Sequence, residues 1–590
     1  MNLLEKAELL LHIARWRATW DIRDIDEKPP IVHPKFITAR RAAELIPDGA
    51  TIFSSGMAAN ARCSIFFWAI KELFATSAHP KNLTWIVVGA QGGRGRVPGT
   101  IEELNAPGLL SRFVAGHLET ARALLTAADE GRIELHTMAQ GMETFLLEAK
   151  SRGEKSIEHD TALGTFLDPT VGNGSYVGGA PQTMSLIERA GDKMRFTFPR
   201  FDVALFVAPY ADAEGNIYKR HASTMTEAYE SALATRADGG LVIASVADII
   251  PKNEAEIFIP ADKVDYIVVN SRSEQTGSIA QRRYWPGFTV EHRDETDVHH
   301  VVEKLKFAND ILKIAPVRTP IELATARLAS SVFMRLARRG ALINIGTGLP
   351  EEVCRLIYEG GLQDEVTFFT ETGVLGGLPA PGIFFGSAVR PQRIITSAQI
   401  FHMAYDHLDI TMLGVLEADS HGNVNVSKRG PKMINYVGPG GLPDLVAAAR
   451  NILFVGSWMA HGDLRVEDGR VRIAKRGEPK FRDAVSQITF NGSEALRLGK
   501  TVHYVTNVGV FRLTKRGMML VEVMPGIDID RDIVRGCPMK VVLPPKGEVP
   551  VVSREIVTGE GFRLAWPVEP PPAKRQARRP RRDDAGTATV

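Results

Sequence analysis

Residues 201–220 read FDVALFVAPYADAEGNIYKR and have a counterpart in residues 408–429, which read LDITMLGVLEADSHGNVNVSKR. Each stretch starts with an apolar run that predicts a buried strand, and each continues through a Gly-Asn turn. An earlier pair keeps the same order: PDGATIFSSGMAAN (residues 47–60) and ARRGALINIGTGLPEEV (residues 337–353). Two matches in one order imply that an α/β unit is duplicated along the chain.

Further apolar runs extend this pattern through both copies: WIVVGA, GLVIASVA, YIVV and ILFVG. Near-continuous apolar runs of this length are typical of strands that are buried on both faces of a parallel sheet. Pro316 and Pro320 interrupt a mostly helical stretch between the copies, which places the boundary there. The prediction is two tandem, structurally similar α/β domains with largely parallel sheets, over residues 36–315 and 320–566.

Composition describes an ordinary soluble protein, with 590 residues, 44% hydrophobic and 24% charged. The 71 basic and 69 acidic residues nearly cancel, so neither a nucleic acid nor a membrane is expected as a partner. Only three cysteines occur and no CxxC pair, which indicates a reducing cytoplasm and argues against zinc. The N-terminal 20 residues have helical periodicity, but charged residues interrupt them, which excludes a membrane span.

Residues 567–590 differ from the rest of the chain. They are rich in proline and arginine, carry six basic against three acidic residues, and have almost no large apolar side chains. Such a segment cannot bury a core, so a disordered basic tail is predicted.

A single acid stands out in TETGVLGGLPAPG, residues 370–382. Glu371 comes just after the strand-like run VTFF (residues 366–369), separated from it only by Thr370, and precedes a loop without other charges. A carboxylate in such apolar surroundings is costly unless it is hydrogen-bonded or takes part in chemistry. From spacing alone, a capped turn and a reactive acid are equally good interpretations.

Glycine loops at strand ends raise a second hypothesis, a dinucleotide site. Gly346 and Gly348 follow a strand, but the third glycine of that fingerprint is replaced by Glu351, so a dinucleotide-binding dehydrogenase is disfavoured. Glycines at strand ends remain suited to letting a ligand approach backbone amides closely.

Several segments together resemble one family. They are ETGVLGG (residues 371–377), GVLEADSHGNVNVSK (residues 414–428), the GPGG loop (residues 438–441) and residues 504–533. In this order they resemble the family I coenzyme A transferases of the fused single-chain type, the acetate or propionate and 3-ketoacid CoA-transferases. The resemblance spans residues 36–552. Two departures occur: Glu-Thr-Gly replaces Glu-Ser-Gly or Glu-Asn-Gly, and Asn507-Val508 replaces a Glu-Arg pair.

The resemblance implies roles for particular residues. Glu371 would be the nucleophile, Gln140 would donate its side-chain amide to an oxyanion, and either Gly440 or Gly441 would donate a backbone amide at the start of a helix. Contacts with CoA or the acyl group are predicted for Gly346, Gly348, Gly373, Asn423 and Asn425. A Gly-Asn pair is also a turn signal, so a purely structural role for the two asparagines stays open.

The implied reaction moves CoA between an acyl-CoA and a small carboxylic acid through an anhydride and a glutamyl-CoA thioester. It needs no metal and no cofactor beyond CoA as substrate. The resemblance also implies a homo-oligomer, either a dimer or a tetramer. Two alternatives remain open at this point: a hydrolase of acyl-CoA thioesters or of cyclic CoA-linked ketones on the same fold, and a CoA-binding subunit without activity.

Overall fold

The computed structural model of the protein describes residues 1–93, 97–313, 316–545 and 548–567. The predicted tail therefore lies outside the described residues except for Pro567. In chain order, the α-helices of the described part are α1 Leu3–Thr19, α2 Ala39–Glu44, α3 Ser64–Ser77, α4 Arg122–Asp129, α5 Gln140–Ser151, α6 Ala228–Ala237, α7 Val298–Leu312, α8 Pro320–Leu336, α9 Glu351–Glu359, α10 Ser397–His407, α11 Leu442–Ala448, α12 Gly492–Arg497 and α13 Arg554–Thr558.

The first large sheet has ten strands in the described part of the chain. They are β1 Thr51–Ser54, β2 Leu83–Gly89, β3 Leu110–His117, β4 Glu134–His136, β5 Tyr176–Gly179, β6 Val203–Ala211, β7 Ile217–Tyr218, β8 Leu241–Ile249, β9 Ile257–Ile259 and β10 Tyr266–Val269. Their order is β9-β7-β6-β1-β2-β3-β4-β5, with β8 beside β6 and β10 beside β8. Strands β1 to β4, β6, β8 and β10 pair in parallel, so their carboxyl ends share one edge.

The second large sheet also has ten strands among the described residues. They are β11 Leu342–Ile345, β12 Thr367–Thr370, β13 Val374–Leu375, β14 Arg393–Ile394, β15 Leu408–Gly414, β16 Asn451–Gly456, β17 Thr501–Thr506, β18 Gly509–Thr514, β19 Gly517–Val523 and β20 Val541–Val542. Their order is β14-β13-β12-β11-β15-β16-β17-β18-β19-β20. The adjacent strands β12, β11, β15, β16 and β17 pair in parallel, and β18 pairs antiparallel with β17.

Shorter strands lie outside these sheets. They are Ser156–His159, Ile187–Ala190, Lys193–Thr197, Glu274–Thr276, Ile279–Ala280, Leu378–Pro379, Ala388–Val389, Glu417–Asp419, Val424–Asn425, Met459–Ala460, Asp463–Glu467, Arg470–Lys475, Glu478–Pro479 and Phe481–Arg482. The pair formed by Glu274–Thr276 and Ile279–Ala280 is a hairpin, named here the 274–280 hairpin.

The predicted α/β fold with two largely parallel sheets is confirmed. Strands β2 and β6 are buried along their whole length, as their apolar runs predict for strands covered on both faces. No helix of the described residues is long and apolar enough to cross a membrane.

The region between the two halves contains a clear helix start, but the cores of the halves overlap across it. Helix α8 begins at Pro320 behind a capping box of Thr319 and Glu322, which is a strong local start signal. The core of the second half also takes in Ile279 and Leu305 from before the proposed boundary, and Leu9 from α1. The division at residues 315–320 stays a prediction.

Candidate active site

A cavity of about 810 Å³ lies where the carboxyl ends of the two sheets face each other. Residues of both halves line it. Six of the residues predicted from the sequence belong to its wall: Gln140, Gly346, Gly348, Glu371, Gly440 and Gly441. The structure therefore brings together residues that are up to about 300 positions apart, because parallel strands deliver their carboxyl ends to one edge of each sheet.

Glu371 follows β12 directly and is held by a side chain of the adjacent strand β11, which a side chain of β15 supports in turn. The side-chain amide of Asn344, on β11, donates to Glu371 Oε1 over 3.3 Å. Thr411 Oγ1, on β15, in turn donates to Asn344 Oδ1 over 3.4 Å. Burial raises the pKa of Glu371, and the bond from Asn344 opposes that rise. The carboxylate is thus fixed in position and poorly solvated, which favours reactivity.

The turn after Glu371 depends on Gly373. Its φ of +99° lies in the left-handed region, and a methyl group at this position would lie only 1.9 Å from the Ile395 carbonyl oxygen. Thr370 Oγ1 adds a bond to the Gly386 carbonyl over 2.9 Å. Gly373 does not line the cavity. Its predicted contact with CoA has no support in this geometry, because the turn itself explains the glycine.

Gln140 and the GPGG loop meet beside Glu371. Gln140 opens α5, and its Nε2 donates to the Val88 carbonyl over 3.1 Å. The amide of Gly440 already donates to the Gly116 carbonyl over 2.9 Å. Gly441 is the N-cap of α11, and a methyl group there would lie 3.5 Å from both Glu371 Cγ and Gln140 Oε1. Of the two glycines left open by the sequence, Gly441 therefore adjoins the acid and the glutamine.

A buried carboxyl group joins the two helices that begin at this point. Asp444, in the first turn of α11, accepts from the Gly141 amide of α5 over 2.8 Å and from the Tyr405 hydroxyl over 3.2 Å. Burial raises the pKa of Asp444 to about 7, against hydrogen bonds that lower it. Asp444 thereby fixes the start of α5, with Gln140, relative to the start of α11, with Gly441. No local sequence signal marks Asp444 for that role.

The two predicted asparagines lie outside the cavity wall. Asn423 Nδ2 donates to Asp419 Oδ2 over 3.0 Å. Asn425 Nδ2 donates to Glu417 Oε2 over 2.9 Å and to the Lys428 carbonyl over 2.8 Å. The hydrogen bonds favour the turn interpretation of the Gly-Asn pattern, and a contact of these side chains with CoA has no support in the geometry.

Sequence reasoning missed two groups of cavity residues. Lys480 lines the wall of the second half, where its Nζ donates to the Val415 carbonyl over 2.6 Å and burial lowers its pKa to about 8. Trp16, Arg17 and Trp20 reach the wall from the end of α1, a segment outside the family resemblance. Scattered basic residues and a lone amphipathic helix carry no motif that could have pointed to these positions.

Comparison with known proteins identifies the class. Caffeate CoA-transferase of Acetobacterium woodii is 30% identical over 514 residues, which cover 85% of this chain and 93% of that protein. Acetate CoA-transferase YdiF of Escherichia coli O157:H7 is 27% identical over 533 residues, which cover 88% and 95%. A crystal structure of acyl-CoA transferase YdiF from E. coli O157:H7, described as a thioester complex with CoA, has a TM-score of 0.76 at 25% identity and covers 91% of this chain and 99% of that chain. No protein-family model matches the sequence.

The fold and the site define an α/β enzyme with a half-buried carboxylate between two sheet edges. With the relatives above, the chain belongs to the single-chain family I coenzyme A transferases, which use CoA and carboxylate substrates.

Proposed function

We propose that this CoA-transferase works by a ping-pong mechanism with Glu371 as the covalent nucleophile. Glu371 attacks the acyl carbonyl of an acyl-CoA, the C–S bond breaks, and CoA leaves as a thiolate while a mixed anhydride forms. The thiolate then attacks the γ-carbonyl of Glu371, releases the first acid as a carboxylate and leaves a glutamyl-CoA thioester. A second carboxylate reverses both steps and departs as the new acyl-CoA.

The single observation that carries this proposal is the surroundings of Glu371. The acid is half-buried at a strand end, hydrogen-bonded by Asn344, and adjoined by Gln140 and Gly441. The crystal structure of YdiF described as a thioester complex with CoA gives independent support, since the proposed cycle passes through such a thioester.

Each attack creates a tetrahedral oxyanion, and two donors suit it. Gln140 Nε2 carries two hydrogens, of which one is used by Val88, so the second is available to the oxyanion. The Gly441 amide is the second candidate donor, because the Gly440 amide already donates its hydrogen bond to the Gly116 carbonyl. The bond that the Gly141 amide donates to Asp444 would keep both donors aimed at the same point.

The CoA phosphates require cations, and the cavity wall offers two from the second half. Lys480 and Arg429 both line the cavity near the ends of β15 and β16. We assign them to the CoA moiety.

The function is tested by incubating the protein with acetyl-CoA and isotopically labelled propionate. Labelled propionyl-CoA should appear in proportion to the acetyl-CoA consumed, and initial rates should give parallel double-reciprocal lines. Loss of thioester at the same rate with and without added acid would instead identify a hydrolase. Intersecting lines would reject the ping-pong order.

Replacing Asn344 by alanine should move the acid limb of the pH–rate profile to higher pH. Glu371 reacts as the carboxylate, so kcat/KM rises as pH passes its pKa. Burial raises that pKa, while a hydrogen bond from the backbone amide of Glu371 and one from Asn344 lower it, so Asn344→Ala removes one of two opposing bonds and raises the pKa further. The rate should fall about tenfold on the acid limb of the profile and clearly less on the alkaline plateau, the scale of one hydrogen bond to a charged group.

Asn423→Ala is the matched control, because this amide bonds to Asp419 outside the cavity wall. It should leave the pH profile in place. If kcat/KM of Asn344→Ala falls by the same factor at every pH, Asn344 only supports the fold.

A further inference from the structure

The end of helix α1 forms an aromatic part of the cavity wall. Trp16 and Trp20, named here the aromatic wall, are both half-buried and line the cavity. Their rings meet edge to face at a centroid distance of 5.4 Å. Two indoles that meet edge to face and remain partly open to a cavity present two angled apolar faces, which favour an aromatic ligand group.

Helix α1 holds this wall rigidly. Leu9 and Ile13 are buried in the core of the second half, and an Asn2–Glu5 capping box starts the helix. His12 packs its ring against Trp285 at 5.8 Å. Since one face of the helix is anchored, the tryptophans keep their place without a ligand.

Trp16 is also fixed by a specific hydrogen bond. Its indole Nε1–H donates over 3.0 Å to Glu274 Oε1, in the 274–280 hairpin. Arg62 donates to the other oxygen of the same carboxyl group over 3.3 Å. Arg62 pairs with this half-buried carboxyl group, so the hydrogen bond fixes the Trp16 indole without leaving an unpaired charge beside the aromatic wall.

Direct contacts connect the aromatic wall to the loop that carries Glu371. Thr276 Oγ1 of the 274–280 hairpin donates to Asn60 Oδ1 over 3.0 Å, and Asn60 Nδ2 donates to the Phe385 carbonyl over 2.7 Å. The next residue, Gly386, accepts from Thr370 and Thr372 on either side of Glu371. The aromatic wall therefore belongs to the side of the cavity that adjoins the acid, whereas Lys480 lies on the wall formed by the ends of β15 and β16.

Apolar side chains beside the 274–280 hairpin continue the same surface. Met57, Ala59, Ile383 and Phe385 line the cavity there. At Gly277 of the hairpin, a methyl group would lie 3.1 Å from Ala59 Cβ and 2.7 Å from the Ile383 carbonyl oxygen, so these groups form one closed wall. A path of apolar side chains ending in two indoles fits an acyl chain that ends in a ring.

We propose that the aromatic wall receives the aryl group of an arylalkanoic acid, so that this enzyme transfers CoA to and from acids with a ring at the end of a short chain. This inference rests on the proposed function, since it assigns the acyl group of the same reaction. Trp16 and Trp20 act as specificity-determining residues, because they contact the part of the substrate that does not react.

The test compares propionate with 3-phenylpropionate as CoA acceptors, because the two acids differ only by the phenyl ring. With acetyl-CoA as donor, kcat/KM should be at least about tenfold higher for 3-phenylpropionate, given the contact area of one ring. In the double variant Trp16→Ala/Trp20→Ala, kcat/KM should fall about ten- to hundredfold with 3-phenylpropionate and less than about threefold with propionate.

Two further variants separate aromatic contact from anchoring of the helix. Trp16→Phe keeps a ring but loses the bond to Glu274, so it should retain most of the preference for 3-phenylpropionate. Trp285→Phe alters a tryptophan that packs on the same helix outside the cavity wall, and it should leave the preference unchanged. An equal loss with both acids in the double variant would overturn the inference. A raised KM for every acyl-CoA, whatever its acyl group, would overturn it in favour of a nucleotide platform.

Failure of the inference can be told apart from failure of the proposed function. Binding of 3-phenylpropionate to the intact protein is measured by quenching of tryptophan fluorescence and by calorimetry, neither of which needs turnover. Binding that is lost in Trp16→Ala/Trp20→Ala supports the aromatic wall even if no CoA is transferred. Equal binding of both acids to the unaltered protein would overturn the inference even if propionate is an active acceptor.

Discussion

Acyl-CoA supplied without a second acid should leave CoA attached to Glu371, and Glu371→Gln should abolish this adduct together with transfer. An amide cannot attack as a carboxylate does, so kcat should fall at least about 10⁴-fold, the scale of losing a covalent nucleophile. Borohydride reduction of the thioester gives an alcohol at one residue, which peptide mass spectrometry locates. Glu371→Asp withdraws the carboxylate by one methylene, about 1.5 Å, and should cost on the order of a hundredfold because errors of about 1 Å in a reacting group have that effect.

Glu322→Gln is the matched control for this experiment. Glu322 also lines the cavity, but its carboxylate caps α8 through Thr319, a bond that glutamine can keep. Activity and adduct should both survive. A mass shift on any residue other than Glu371, or full transfer by Glu371→Gln, would reject the mechanism.

Gln140→Ala should lower kcat about a hundred- to a thousandfold, the usual loss when one oxyanion donor is removed. The substrate in its ground state needs this donor little, so KM should change much less than kcat. The adduct should still form at Glu371, only more slowly, because the nucleophile is intact. Rapid-quench measurement of the adduct therefore separates the role of Gln140 from that of Glu371.

Gln399→Ala serves as the comparison, since Gln399 caps α10 and does not line the cavity. It should reduce stability slightly and turnover hardly at all. If Gln140→Ala behaves in the same way, Gln140 only supports the start of α5 and another group must stabilise the oxyanion.

The family and the fold class could be predicted from the sequence because both depend on local signals. Apolar runs such as residues 203–208 report burial on two faces, and a glycine loop after a strand marks a carboxyl end wherever the strand lies in the sheet. The isolation of Glu371 among uncharged residues is likewise visible along the chain. The Gly-Asn pattern was ambiguous for the same reason, since a turn and a ligand contact use the same residues there.

The sequence by itself determined the duplicated α/β pattern, the family and the position of the acid, since each depends on short runs and motifs of residues adjacent in the chain. Only the tertiary structure decided which groups meet that acid. Asp444 and Gly141 are 303 positions apart, and Trp16 and Glu274 are 258 apart, yet each pair forms a hydrogen bond. Periodicity and turn signals describe burial and chain direction over a few residues, whereas such contacts depend on how two sheets and a terminal helix pack together. The choice of Gly441 over Gly440, the hydrogen bond from Asn344 to Glu371 and the aromatic wall all depend on this packing.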